Sequence, residues 1–393
     1  MKKRQLPSRG RASIFLGLFL LAPAVYFGYP YASGVLYESS TQPAAPVSVA
    51  SSSPPAKKIF VATHIKTPQA VKGIYMTSCV AGSQSWRDFL LKIADETEIN
   101  SIIIDIKDYT GTISFNTESK LSGESGKGCR VSDMREFIQK LHDHGVYVIG
   151  RITVFQDPHY TAEHPELAVQ SISSGGPWKD YKGLSFIDVG AKDYWDYILV
   201  LSRESYAAGF DELNFDYVRF PSDGNMKDAI YIWTGTTTKA AMLKDFFSYL
   251  HYSLSGTGPV LSVDLFGMTT TNPDDLNIGQ VMENALPYFD YVSPMVYPSH
   301  YPANFNGWAN PNKYVYEVVN YSMMKAVERA NAASTTPLKL RPWLQDFDYG
   351  GNYGEAEVRA QIKATYDSGL TSWMLWDPGN KYTRSALDPE PGL

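Results

Sequence analysis

The chain has 393 residues, 44% hydrophobic and 19% charged, with 30 Gly, 24 Pro and two Cys. That composition excludes a disordered, collagen-like or disulfide-dense protein. Only one stretch, near the N-terminus, is apolar enough to span a bilayer, which excludes a multi-pass membrane protein. The formal net charge of −6 is unevenly placed. Residues 1–70 carry eight Lys and Arg against one acid, Glu38, which leaves 27 basic and 40 acidic residues in 71–393. Such an acidic domain repels polyanions, so no nucleic-acid partner is expected.

In chain order, Lys2, Lys3, Arg4, Arg9 and Arg11 precede an apolar run from Ile14 to Tyr29. Positive charge before a short apolar core marks residues 1–34 as a signal peptide or an uncleaved signal anchor. Ala32, Ser33 and Gly34 offer a cleavage site, and the run lacks the polar face of a surface helix. Residues 35–70 read as a Pro/Ser/Ala-rich linker that cannot bury a core. The expectation is an exported protein: anchored in the inner membrane and facing outward, or secreted or periplasmic if the leader is cut. One domain, 71–385, and a tail, 386–393, complete the plan. An oxidising compartment also permits a disulfide between Cys79 and Cys129.

Within the domain, strand-like and helix-like segments alternate. Eight strands are predicted at Lys72–Thr77, Ser101–Asp108, Val146–Phe155, Glu212–Pro221, Val260–Gly267, Asp290–Tyr297, Lys339–Phe347 and Thr371–Asp377. Apolar residues at helical spacing predict helices at Trp86–Thr97, Asp133–His144, Asp193–Ala208, Lys239–Leu254, Asn277–Tyr288, Tyr314–Asn331 and Ala356–Ser368. Eight such units point to a (β/α)8 TIM barrel. A doubly wound sheet is the rival, but its Gly-rich phosphate turn has no counterpart after Lys72–Thr77. The long connections follow strand C-termini, where barrel enzymes build their sites.

Side chains alternate along a strand, so the apolar Leu261, Val263 and Leu265 turn Ser262 and Asp264 into the barrel. The same parity places Asp105 with Lys107, Arg151 with Thr153, and Asn214 with Asp216 on interior faces. It groups Met295 with Tyr297, and Trp343 with Gln345; between Trp376 and Asp377 the choice stays open. An interior carboxylate must be paired or functional. Asp216 and Asp264, on strands about 4.8 Å apart, suit a pair of carboxylates across a glycosidic bond, one donating a proton and the other attacking or activating water. Asp105, Asp346, Asp348 and Asp377 are rival or supporting acids. Lys107, Arg151 and Arg219 are expected to bind substrate hydroxyls. Tyr297, Trp343 and Trp376, with Phe155, Trp178, Tyr217, Tyr301 and Trp308 as further aromatic candidates, offer flat faces for sugar rings. The seven His residues give no metal spacing, and His159, His164 and His300 stand singly in rim loops. No metal or organic cofactor is implied. No G-x-S-x-G elbow occurs.

The segments 100–108, 209–221, 290–301, 341–347 and 372–377 (NSIIIDIKD, GFDELNFDYVRFP, DYVSPMVYPSHY, RPWLQDF and SWMLWD) together resemble a bacterial family of glycosyl-hydrolase-type domains set near the alpha-amylase-like barrels. The resemblance runs from about Val71 to Tyr382. It implies a barrel fold and glycoside hydrolysis. In amylase-like enzymes the nucleophilic Asp ends the fourth strand, which maps onto Asp216. Their acid is a Glu ending the fifth strand, where this chain has Asp264. Their Arg two residues before the nucleophile is replaced by Asn214, and Arg219 lies three after it. The expected activity is cleavage of a cell-envelope or extracellular polysaccharide or oligosaccharide. A non-catalytic glycan-binding or scaffolding barrel is the alternative, and a transglycosylase a third reading. A membrane partner enters only through an uncleaved N-terminal segment.

Overall fold

The computed structural model describes residues 60–389. The expected leader and residues 35–59 of the expected linker lie outside the described residues. Eight parallel strands close a barrel: β1 (Lys72–Met76), β2 (Ser101–Lys107), β3 (Tyr147–Thr153), β4 (Glu212–Asp216), β5 (Val260–Phe266), β6 (Tyr291–Met295), β7 (Trp343–Gln345) and β8 (Trp373–Trp376). Each pairs with the next in sequence, and β8 pairs with β1. The connecting helices are α1 (Gln84–Glu96), α2 (Met134–Asp143), α3 (Lys192–Ala208), α4 (Lys239–Leu254), α5 (Met282–Ala285), α6 (Val315–Ala332) and α7 (Glu355–Asp367). The (β/α)8 expectation therefore holds.

Strand alternation divides the core into two layers. Ile74, Ile102, Ile104, Val148, Leu261, Val263 and Leu265 face outward and pack on helix residues such as Leu90, Leu141, Ile198 and Phe246. Tyr75, Ile103, Tyr147, Ile149, Trp343 and Met374 fill the interior. With both faces buried, β2 reads as an almost continuous apolar run, as a parallel barrel strand must. Gly209 ends α3 in the left-handed region, with φ +117°, and turns the chain into β4.

Four expectations are corrected. First, α5 covers only Met282–Ala285 of the predicted Asn277–Tyr288 helix. Asp274 and Asp275 accept hydrogen bonds from the backbone of Leu276 and Asn277, and both of the latter residues take positive φ. Local side-chain turns outcompete helix there. Second, residues 60–70 are not free linker. The Ile65 N–H donates to Asp211 Oδ1 at 2.8 Å, and Thr67 Oγ1 meets the Tyr147 hydroxyl at 3.0 Å at the N-terminal end of the barrel. Third, the tail packs as far as Pro389. Ala386 and Leu387 are buried, and the Asp388 N–H donates to Glu98. Fourth, Lys107 does not share a face with Asp105. A bulge makes Asp105 pair with Arg151 but Lys107 with Ile152, which points outward. Gly150 makes room for the inserted residue; a Cβ there would lie 2.2 Å from Ile106 Cδ1. Among the described residues no helix is long and apolar enough to cross a membrane.

A disulfide joins Cys79, just after β1, to Cys129, before α2, across 50 residues of sequence with Cα atoms 4.8 Å apart. It ties the loop after β2 to the barrel rim. Closing a loop of that length restricts the unfolded chain, so the double variant Cys79→Ser/Cys129→Ser should lose about 2–4 kcal/mol of stability. Urea unfolding with and without reductant measures it; a midpoint unaffected by the substitutions contradicts the assignment.

Candidate active site

Arg151, near the C-terminal end of β3, is the hub of the barrel mouth. Its Nη1 donates to Asp105 Oδ1 at 2.8 Å. Its Nε and Nη2 both donate to Asp216 Oδ2, at 3.0 and 2.5 Å. The guanidinium lies 5.0 Å from the centroid of Trp376 and 5.7 Å from that of Tyr75. Burial opposes its charge, but Asp216 and Asp105 outweigh burial and raise its pKa. Asp105 in turn accepts a 2.5 Å hydrogen bond from the Tyr75 hydroxyl. Burial raises the Asp105 pKa against the pull of Arg151. Asp105 thus holds Arg151 from below, and it is not among the cavity walls.

Asp216 ends β4. Besides Arg151, it accepts the Tyr217 N–H on Oδ1 at 2.6 Å. Tyr217 has φ +51°, a left-handed conformation that a non-glycine residue adopts at a cost. The turn places a backbone donor on the carboxylate at the point where the chain leaves the barrel.

Asp264, on β5, faces the same mouth. Its Oδ1 accepts from Asn214 Nδ2 at 2.9 Å and from Trp343 Nε1 at 2.8 Å. Burial, then the neighbouring charge of Asp216, pushes its pKa well above the ordinary carboxyl range. Two acids on adjacent strands therefore sit in unequal surroundings. Asp216 is tied to a cation; Asp264 is bonded to two neutral donors.

A cavity of about 370 Å³ opens on this pair. Its walls include Arg151, Asp216, Asp264, Arg219, Tyr297, Trp343 and Trp376. Trp376 stacks on Tyr75 at 4.0 Å and meets Trp343 edge-on at 5.5 Å, which fixes both indoles. Arg219 lies 5.0–5.6 Å from the rings of Phe266, Tyr217 and Phe186.

Other candidates lie elsewhere. Lys107 is buried outside the cavity, its Nζ 2.8 Å from Asp157 Oδ2 and 2.7 Å from the Thr153 carbonyl. The β2 bulge removes it from the mouth, which corrects its expected role on substrate. Asp346 is pushed up to about 7 by burial and accepts hydrogen bonds from the Thr383 N–H and Oγ1. Asp377 accepts the backbone N–H groups of Gly379 and Lys381. Neither lines the cavity; both brace the turn after β8. Phe155 and Trp178 are core residues, at 0% and 2% exposure, and so are not platforms. Trp308 is also absent from the walls, whereas Tyr217 and Tyr301 are present. Sequence reasoning missed Asp223, Phe266, Met268 and His300 as wall residues. His300 carried a usable signal, since it lies three residues beyond Tyr297 in the segment that follows β6. Among the described residues no group of three or more His, Cys, Asp or Glu is placed to hold a metal ion.

Solved structures share this architecture. The PgaB (BpsB) glycoside hydrolase domain from Bordetella bronchiseptica aligns over 81% of this chain and 99% of its own, at 15% identity and TM-score 0.58. The catalytic domain of beta-amylase from Paenibacillus polymyxa aligns over 82% and 96%, at 11% identity and TM-score 0.50. A hypothetical protein from Ruminiclostridium thermocellum is 31% identical over 52% of this chain and 98% of its own, with TM-score 0.44. No curated protein matches the chain. The model of the family described as "Putative glycosyl hydrolase domain" matches residues 73–382, nearly the whole barrel. The chain belongs to that family, and its (β/α)8 domain is a glycoside hydrolase domain.

Proposed function

We propose that the protein is an exported glycoside hydrolase that cleaves a cell-envelope or extracellular polysaccharide, with Asp264 as general acid and Asp216 as nucleophile or base. The observation that carries this reading is the inequality of the two carboxyls. Asp264 is buried, bonded only to neutral donors and pushed up in pKa. Asp216 is paired with Arg151 on the next strand. A carboxyl whose pKa is raised by burial, beside a charge-paired carboxylate, is the division of labour glycoside cleavage requires.

In the proposed reaction the Asp264 proton passes to the leaving glycosidic oxygen as the bond to the anomeric carbon breaks. Asp216 either bonds to that carbon or takes a proton from the water that does. Arg151 orients Asp216 and keeps Asp105 from repelling it. Trp376 presents its ring to sugar C–H groups with Tyr297 beside it, and Trp343, only 1% exposed, backs that wall. The Bordetella domain of the same fold is itself a glycoside hydrolase domain. Export is supported by the basic head and apolar run of residues 1–34, and by the Cys79–Cys129 disulfide.

Asp216→Asn and Asp264→Asn should each cut reducing-end release from envelope polysaccharide by at least about 100-fold while leaving binding to the polymer intact. Binding without any release by the wild-type chain would instead identify a glycan-binding scaffold. Hydrolysis unchanged in both variants would remove the two residues from the mechanism.

The raised pKa of Asp264 has a second readout. Well below pH 4, folded and unfolded chains both hold the proton; as pH rises the unfolded chain releases it first. The contribution of Asp264 to wild-type stability therefore falls as pH rises, until its folded pKa is passed. Asp264→Asn keeps an oxygen acceptor for Asn214 and Trp343 but has no proton to lose. Its melting temperature should exceed that of the wild type by a margin that grows from pH 4 towards neutrality. A margin that stays flat with pH contradicts the raised pKa.

A further inference from the structure

His300 lines the cavity immediately after Tyr297–Ser299. Its ring is flanked by Tyr297, Phe347 and Tyr349, with centroids 5.4, 6.0 and 5.7 Å away, and the residue is exposed. Nδ1 lies 2.9 Å from Ser299 Oγ. The tautomer follows from the groups behind that serine.

Gln345 has a fixed amide orientation. Its Nε2 donates to the Phe347 carbonyl at 2.9 Å, and its Oε1 accepts the Ser299 N–H at 3.2 Å. A carbonyl can only accept and a backbone N–H can only donate, so the amide cannot be flipped. The Ser299 hydroxyl lies 2.8 Å from the same Oε1 and must give it its one proton. Ser299 Oγ can then only accept from His300, which places a proton on Nδ1. Burial lowers the imidazole pKa, so the ring is neutral at pH 7 and Nε2 carries a bare lone pair. Nε2 makes no hydrogen bond among the described residues.

We propose that His300 is a substrate-positioning residue of the cavity, held by Ser299 and Gln345 in the Nδ1–H tautomer so that its bare Nε2 accepts a hydrogen bond from a sugar hydroxyl. This rests on reading the cavity as the glycoside-cleaving site. The lock selects a ligand that presents a donor at this point, which a hydroxyl does and an ether or carbonyl oxygen does not. The two carboxyls lie on β4 and β5 and His300 follows β6, so the contact falls on one side of the bond-breaking pair and acts on binding.

Two measurements test it. Imidazole nitrogen NMR of the full domain, with the His300 signal assigned by its disappearance in His300→Gln, should show a protonated Nδ1 and a bare Nε2. In Ser299→Ala that preference should relax toward the Nε2–H form favoured by a free histidine side chain. A wild-type ring protonated on Nε2 overturns the proposal whatever the activity. On the polysaccharide the wild-type chain hydrolyses, His300→Ala should raise KM about five- to tenfold and leave kcat within about twofold, the signature of a lost hydrogen bond made equally in ground and transition states. His300→Gln, whose amide oxygen reaches the same region, should recover most of the loss. Hydrolysis with unchanged KM in His300→Ala overturns the proposal alone. Absence of hydrolysis by the wild-type chain overturns the reading on which it rests.

Discussion

Arg151 brings a positive charge into the interior of a closed sheet, where an unpaired ion is severely penalised. The mouth of the barrel is organised around meeting that demand. Asp105 and Asp216 take its hydrogen bonds from β2 and β4, the two strands that flank β3, and Tyr75 and Trp376 cover its faces from β1 and β8. Asp264, one strand further on, is buried and faces the Asp216 charge, and both push its pKa up. The two acids thus differ because Asp264 is buried among neutral donors while Asp216 is paired with the guanidinium.

The same arrangement explains why removing part of it has effects beyond the part removed. Asp105 never touches the cavity, yet without it Arg151 would lose one of the two carboxylates that hold its orientation. Tyr217, held at positive φ, sets the backbone donor on Asp216 just as the chain leaves β4. Trp343 does two jobs, since its ring forms part of the wall while its indole N–H fixes Asp264. Substrate surface and catalytic pair are therefore built from one connected set of contacts.

The barrel was legible because its physics is periodic. Alternation within β5 was enough to turn Asp264 inward, and the run of apolar residues in β2 marked a strand buried on both faces. Lys107 was not legible, because a bulge changes the parity of a strand without leaving a signature in the strand itself; the enabling residue, Gly150, belongs to the neighbouring strand. The ordered segment 60–70 was hidden for a related reason. Its composition resembles a linker, and what orders it is Asp211, far away in sequence. His300 looked incidental because its significance depends on Gln345, 45 positions on, through Ser299. Local pattern gives facing; it does not give partners across the barrel.

A raised pKa lets Asp264 hold its proton at pH values where an ordinary carboxyl has lost it. Carbon NMR titration of Asp-labelled protein, with the Asp264 carboxyl assigned by its loss in Asp264→Asn, reads that proton directly. The Asp264 carboxyl should titrate well above the ordinary aspartate value of about 3.9, and its titration should move down when the Asp216 charge is removed by Asp216→Asn. A carboxyl that titrates in the ordinary range, indifferent to Asp216, would contradict it.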